Sequence, residues 1–572
     1  MTDPNEFFEI IRGVIPLSLL VVLPIFIIVS PGPVAASHEF NVYRMQHYDL
    51  FGVAYGSRNS LLSLEARTVD SGTVTRRCIL IRWQDLSQEV FEGLSRQNAG
   101  GLLVLLPQNI SSLSPAVRRL LILTVHDSLI GSCNQEMMEK EQSLLYQKET
   151  QIPVYFATET DELNEVYDEV QRLGRSDKRA GATQALVSAV IANGFQLYVG
   201  GPQPNALSDA KISSLQGLLR GLGAEESLPT IAVVAHYDAF GIAPGLSFGA
   251  DSNASGMAIL LELIWIFSTL YSNSRTHGKG NLLFFVSGGG KINYQGSKKW
   301  LEDQLDGLEA GILQDCDFTL VLDTLGQGNK IRMHVSKPPK DGKPADLFFK
   351  DLEAAADRFA TDVSVEMNHK KINLNTESLA WEHERFSLRK IPAYTLSHLE
   401  SHKDPVRRSI FDVTYDLESL VTNTKIIAEA LAHRIYPLGV NESLFDDGKL
   451  IRRENLQGWM EFLTSRSRSP QLMLAKDDPV VTVMQQFMNK YLSNVRIITA
   501  KPERRDPDFV LYDVPVATMN AYIVKPAIFD LFLSALIGLY VLTIYAFVKY
   551  FPIVFSLLKP STIYQNGKSK VH

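Results

Sequence analysis

Between Thr230 and Tyr436 near-continuous apolar runs alternate with longer helix-compatible segments, and this alternation restricts the chain more than any other feature. "TIAVVAH", "NLLFFVS" and "FTLVL" leave no polar face to present to water, so each must be covered on both sides. Strands of that kind separated by helices predict a largely parallel sheet in a three-layer α/β/α domain. "IPAYTLSH" supplies a fourth strand, and Leu417 to Tyr436 reads as a closing amphipathic helix. "SGMAILLELIWIFSTLY" (Ser255 to Tyr271) is apolar all round but short for a membrane span and carries Glu262, which predicts a buried core helix.

Upstream, "CILIRW", "GGLLVLLP", "IPVYFA" and "FQLYVGG" are shorter strand-like runs with polar, helix-compatible stretches between them. They predict a smaller N-terminal α/β lobe. The 572 residues are 45% hydrophobic and 21% charged, enough apolar material for more than one core. A net charge of -7 argues against nucleic acid as a partner. Three cysteines (Cys78, Cys133, Cys316) cannot all pair internally and show no metal-ligand spacing.

Two apolar segments set the topology. Val14 to Val29 precedes "SPGPVAAS", where Val34 and Ala36 suit a signal-peptidase site, although Asp3, Glu6 and Glu9 outnumber Arg12 in the flank. It reads as a signal peptide, cleaved or retained as an anchor. Ala527 to Val548, at ~1.5 Å per residue, is long enough to cross a ~30 Å hydrocarbon core. Lys549, Lys559, Lys568 and Lys570 follow it, as befits a cytosolic tail. The expected plan is a signal over 1–36, a lumenal lobe over 38–225, the sheet domain over 226–440, a connector over 441–525, the span over 526–548 and the tail over 549–572. Sequons at Asn109, Asn253 and Asn441 suit a lumenal ectodomain.

Polar groups cluster where the strands end: His236 and Asp238 in "AHYDAFG", Asp251 in "GADSNASG", Asp323 in "LDTLG", and His398 and His402 in "SHLESHKD". The carboxyl ends of such strands are where this architecture mounts its sites, and histidine with carboxylate points to a metal. For any one of these residues, a hydrogen bond that merely closes a strand end explains as much.

In order and spacing, His-x-Asp, Gly-Ala-x-x-Asn-Ala-Ser-Gly, Leu-Asp-x-x-Gly and the late Ile-Pro-Ala…His resemble the co-catalytic zinc aminopeptidases of the M28 type. The resemblance covers residues 228 to 436. It implies His236 as a metal ligand, Asp238 as the residue orienting it, Asp323 as a second ligand and His402 as the histidine of the other metal, with His398 less well spaced. It also implies three losses. Ser252 stands at the bridging aspartate, with Asp251 one step away. Gly290 and Lys291, counted back from Gly296-Ser297, stand at the glutamates that act as general base and ligand. An ammonium about 4 Å from a divalent ion adds roughly 8 kcal/mol of repulsion at an effective dielectric near 20. The reading is a pseudoenzyme with no catalytic residue and no cofactor, whose vestigial site is His236, Asp238, Asp251, Ser252, Gly290, Lys291, Asp323 and His402.

Among descendants of this fold the chain is similar to the nicastrin layout, and more closely to the nicalin family through "HEFNVYRMQHYDL", "LLFFVSGGGKINYQGSKKWLEDQLD", "AWEHERF" and "LSHLESHKD". That resemblance implies a non-catalytic, single-pass subunit in the endoplasmic-reticulum membrane. Its implied partners are a Nodal-modulator-type ectodomain protein and a small multi-pass membrane protein, at the translocon during multi-pass membrane-protein biogenesis. The alternatives are an active metallo-aminopeptidase with an altered metal site, and a receptor that holds peptides without cleaving them.

Overall fold

The computed structural model describes residues 36–558 apart from 73, 109–126, 147, 180–193, 209, 224–227, 307–312, 314–315, 377, 440–441, 447–449, 474–477, 502–504, 506–507, 514–516 and 526. Residues 1–35 of the expected signal segment, Asn109, Asn441 and residues 559–572 of the expected tail therefore lie outside the described residues, whereas the first part of that tail, from Lys549 to Leu558, continues the C-terminal helix.

The N-terminal strands are β1 (His38–Arg44), β2 (His47–Leu50), β3 (Val53–Gly56), β4 (Leu62–Thr68), β5 (Cys78–Arg82), β6 (Gly101–Leu106), β7 (Val154–Thr158) and β8 (Gly194–Val199). The larger domain contributes β9 (Ile212–Leu219), β10 (Thr230–His236), β11 (Asn281–Ser287), β12 (Cys316–Leu322), β13 (Lys330–Val335), β14 (Ser364–His369), β15 (Ala393–Ser397) and β16 (Ser493–Ala500). Two late strands, β17 (Phe509–Leu511) and β18 (Ala517–Val524), precede the C-terminal helix Ala527–Leu558.

The larger sheet runs β14-β13-β15-β12-β10-β11-β9-β16. Its centre, β15-β12-β10-β11, is parallel, as the apolar runs predict. Pleating sends alternate residues to opposite faces. Val233, Phe284 and Val286 join the core under the helices Gly256–Ser272 and Leu417–Ile435, whereas Val234, Leu283 and Phe285 pack on the other face with Trp300 and Phe386. Phe285 and Trp300 stack at 3.9 Å. The layers are therefore α/β/α, with antiparallel strands added at both edges by β13, β9 and β16.

The smaller lobe closes as a barrel, β1-β18-β8-β4-β5-β6-β7. Here the structure corrects the expected boundaries. Residues 441–525 are no connector: helices Arg453–Thr464 and Pro479–Tyr491 pack on the core helix, β16 extends the large sheet beside β9, β17 pairs with β2, and β18 inserts between β1 and β8. The large sheet likewise begins at Ile212, before the expected 225/226 boundary. The reason is edge satisfaction: β9 and β1 would otherwise present unpaired backbone groups, and the late strands cover them. The lobes also share one apolar core, in which Trp83 and Phe156 meet Phe240, Ile242 and Phe411.

Among the described residues two helical stretches are long and apolar enough to cross a bilayer; one, Ala250–Ser272, which includes the core helix, is mostly buried in the protein, as its composition predicts. The other, Ala527–Leu558, has 32 residues, about 48 Å at ~1.5 Å per residue, and Phe529–Phe547 is uncovered throughout.

Candidate functional site

The strand ends converge as the sequence predicts, but their side chains are spent on one another. His236 closes β10, and its Nδ1 stands 3.2 Å from Glu382 Oε2, with both side chains fully buried. Ser297 donates its hydroxyl to the other oxygen of Glu382 at 2.6 Å. Asp238, expected to orient His236, instead accepts the backbone N–H groups of Gly290 at 2.7 Å and Lys291 at 2.8 Å. The cause is the glycine run after β11. Gly289 turns with φ +67°, a region that favours glycine, and this brings two amides onto the carboxylate.

Gly290 packs directly on His236. A β-carbon built at Gly290 would fall within the contact distance of the imidazole ring, so the position implied for a general base has no room for any side chain. Lys291 is buried, and its ammonium lies 3.4 Å from the carbonyl of Ser252. Burial pushes its pKa down to about 7, Arg407 pushes in the same direction, and Asp323 and Asp238 oppose both. No ion pair within 4.0 Å joins Lys291 to Asp323 or Asp251.

Asp323 pairs with Arg407 instead, Nη2 to Oδ2 at 2.8 Å, and takes the Thr324 hydroxyl on Oδ1 at 2.7 Å. The Arg407 guanidinium also donates to Tyr294 Oη at 3.1 Å and to Ala380 O at 3.1 Å, and lies 4.4 Å over the Trp381 ring. Tyr294 reaches it from a backbone with φ 55°, next to Asn293 at 57°. Two successive non-glycine residues in that region cost of order 1–3 kcal/mol each, which the surrounding contacts must offset. Burial raises the Asp323 carboxyl, but Arg407, His236 and Lys291 outweigh it and hold the group well below the usual carboxylate range.

The remaining candidates separate. His398, not His402, meets the loop before the core helix: its Nε2 lies 2.8 Å from Asp251 Oδ2. His402, expected as the histidine of the other metal, faces Lys370 Nζ at 2.9 Å, and burial with that neighbouring cation pushes its pKa down to about 4. Spacing alone chose between the two; the turn between them carries His402 to the outer face. At the bridging position, the Asp251 and Ser252 amides donate to Asp412 at 2.9 and 2.8 Å. Residues Ala250–Ser255 form a π-helical turn running into the core helix. Glu382, Arg407 and Asp412 were not singled out in the sequence, because a charged residue in a polar loop looks like a surface residue.

Zinc does not fit these residues. Asp323 is neutralised by Arg407, His236 holds one of its nitrogens against Glu382, and among the described residues no three His, Cys, Asp or Glu side chains converge as ligands. His236 Nε2 and Arg407 Nε are buried without a hydrogen-bond partner. No chemical step through a metal follows from this arrangement.

The sequon at Asn253 is corrected as well. Asn253 is buried, and its Nδ2 donates to the Asp238 carbonyl. A glycan on that nitrogen has no place in the folded chain. Glycopeptide mass spectrometry is expected to find Asn253 unmodified, and an occupied site would contradict this fold around Asp238.

A family model described as Peptidase family M28 matches residues 221–416. The Caenorhabditis elegans protein named Nicalin is 28% identical over 535 residues, covering 89% of each chain. The Mus musculus protein named BOS complex subunit NCLN is 45% identical over 571 residues, covering 97% of this chain and 98% of that one. The chain belongs to the nicalin family. Among solved structures, the gamma-secretase component nicastrin superposes with a TM-score of 0.57 at 12% identity, over 86% of this nicalin-family chain and all of that one. This likeness is one of fold: an M28-type α/β/α domain with a smaller lobe.

Proposed function

We propose that this nicalin-family chain is a non-catalytic subunit of a membrane-protein complex, using its two lobes as a scaffold. The observation carrying the reading is Arg407 seated on Asp323, a fixed cation where the fold's relatives are expected to place a divalent one. Gly290, with no space for a carboxylate beside His236, supports it. The buried, hydrogen-bonded state of the cluster disfavours the peptide-receptor alternative, which needs Lys291 open to a ligand.

The relatives named BOS complex subunit NCLN support membership of a complex. The finer reading places the ectodomain, residues 38–525, in the lumen of the endoplasmic reticulum behind a signal over 1–36. Residues 526–548 span the membrane and 549–572 face the cytosol. The partners are a Nodal-modulator-type ectodomain protein and a small multi-pass protein at the translocon. Affinity purification of the full chain from detergent-solubilised membranes tests the partners, and recovery of the chain alone overturns that assignment.

Catalysis is tested on the same material. Zinc analysis is expected to give far less than one ion per chain, and a panel of aminoacyl reporters no turnover. Stoichiometric zinc with turnover abolished by His236→Ala would establish the peptidase alternative instead.

A further inference from the structure

At the opposite end of the large sheet from His236, the starts of β12 and β15 and the end of β13 border a groove of about 830 Å³. Lys337, Lys340, Lys343, Lys371 and Lys390 line it, against one lining carboxylate, Asp317. All five lysines are exposed. Among the described residues none makes an ion pair within 4.0 Å, although this chain pairs many of its other surface charges, such as Lys298 with Asp508 and Lys350 with Asp346. Pro338, Pro339, Pro392 and Tyr394 add apolar surface to the lining.

Five like charges around one groove repel each other, and no carboxylate of the described chain except Asp317 enters to relieve them. In a chain with net charge -7 this is a local inversion of sign. The prolines and Tyr394 of the lining offer apolar area to alternate side chains of an extended segment, while the lysines meet acidic ones. A bilayer surface is flat and does not enter a concave groove; a peptide strand does.

We propose that this groove docks an extended, acidic segment of a partner protein, with lysines 337, 340 and 371 among its principal contacts. This goes beyond the scaffold role and does not depend on whether the strand-end cluster is inactive, because the groove shares no residue with it.

The test is fluorescence anisotropy on the full chain in detergent, with a labelled peptide of about 12 residues alternating Glu and Leu as probe. Saturable binding is expected, weakened about tenfold by Lys337→Glu, Lys340→Glu and Lys371→Glu together, and by a comparable factor on raising salt from about 50 to 500 mM. Charge reversal outside the groove, Lys211→Glu with Lys279→Glu, is expected to leave affinity within about twofold. The corresponding Lys→Gln set, which removes charge without adding any, is expected to weaken binding by a smaller factor. Three results overturn the proposal: no saturable binding, equal weakening by the groove and outside variants, or displacement of the peptide by anionic-lipid vesicles but not by unlabelled peptide.

Discussion

Replacing Arg407 by methionine is expected to lower the stability of the folded chain by about 3–5 kcal/mol, because it leaves Asp323 buried with its charge uncompensated. At about 2.1 cal/mol/K of unfolding entropy per residue, that corresponds to a fall in Tm of roughly 4 °C for a folded unit of this size. The loss should depend on pH in a defined sense. With Arg407 present, the Asp323 carboxyl is held below its unfolded value, so its contribution exists above the ordinary carboxylate pKa and is lost as pH falls through the folded one. Without Arg407, burial dominates and the carboxyl is raised, so protonation relieves the variant on acidification. The gap between Arg407→Met and the parent chain should therefore be largest near pH 7 and shrink toward about pH 5. Asp323→Asn added to Arg407→Met is expected to restore part of the loss. A deficit under about 1 kcal/mol, or one constant across that pH range, would show that the pair is not the centre of the cluster.

The second large effect concerns Glu141, in the helix Asp127–Leu145 of the smaller lobe. Its buried carboxylate accepts the Ser409 hydroxyl at 2.5 Å, the Ile242 amide at 2.8 Å and the Ile410 amide at 3.0 Å, and among the described residues it makes no ion pair within 4.0 Å. Those donors lie on the two loops that also carry Asp238 and Arg407. Glu141→Leu strands two backbone N–H groups and a hydroxyl in the interior, at about 1–3 kcal/mol for each unsatisfied group. A loss of several kcal/mol with separate melting of the two lobes is expected by calorimetry; a single unshifted transition would show that Glu141 does not couple the lobes. Burial raises the Glu141 pKa to about 7, against an ordinary value near 4.3. Its contribution is thus complete in acid and fades as pH rises through about 7, and Glu141→Gln should flatten that part of the pH–stability curve.

The contrast between what the sequence reveals and what it conceals follows from burial. The runs ending at His236, Ser287 and Leu322 are apolar on both faces, so period and length alone identify them as central parallel strands. "KIRMHV" and "SVEMNH" form β13 and β14, partly exposed strands whose polar residues hide the pattern. The late strands β16 to β18 escape notice because their partners lie hundreds of residues away. In the site, residue order points to His236, Asp238 and Asp323 at or just past the ends of β10 and β12, and to Asp251 in the turn before the core helix, but not to the partners that occupy them. It cannot reveal that Arg407 turns inward: "HKDPVRRSIF" reads as a solvated loop, and only the buried pairing with Asp323 separates Arg407 from Arg408.

The placement of β18 has a kinetic consequence. Ser37 donates to the Ala521 carbonyl, 484 residues away in sequence, and β1 pairs with β18 from His38 to Val42. During synthesis β1 emerges first, yet it must wait for almost the last residues before the hydrophobic helix to complete its barrel. The large sheet, whose β10 to β15 lie within one contiguous stretch, can assemble earlier. The lobe that begins the chain is therefore expected to finish folding last. Its open edge, between β1 and β8, stays exposed until β18 is added.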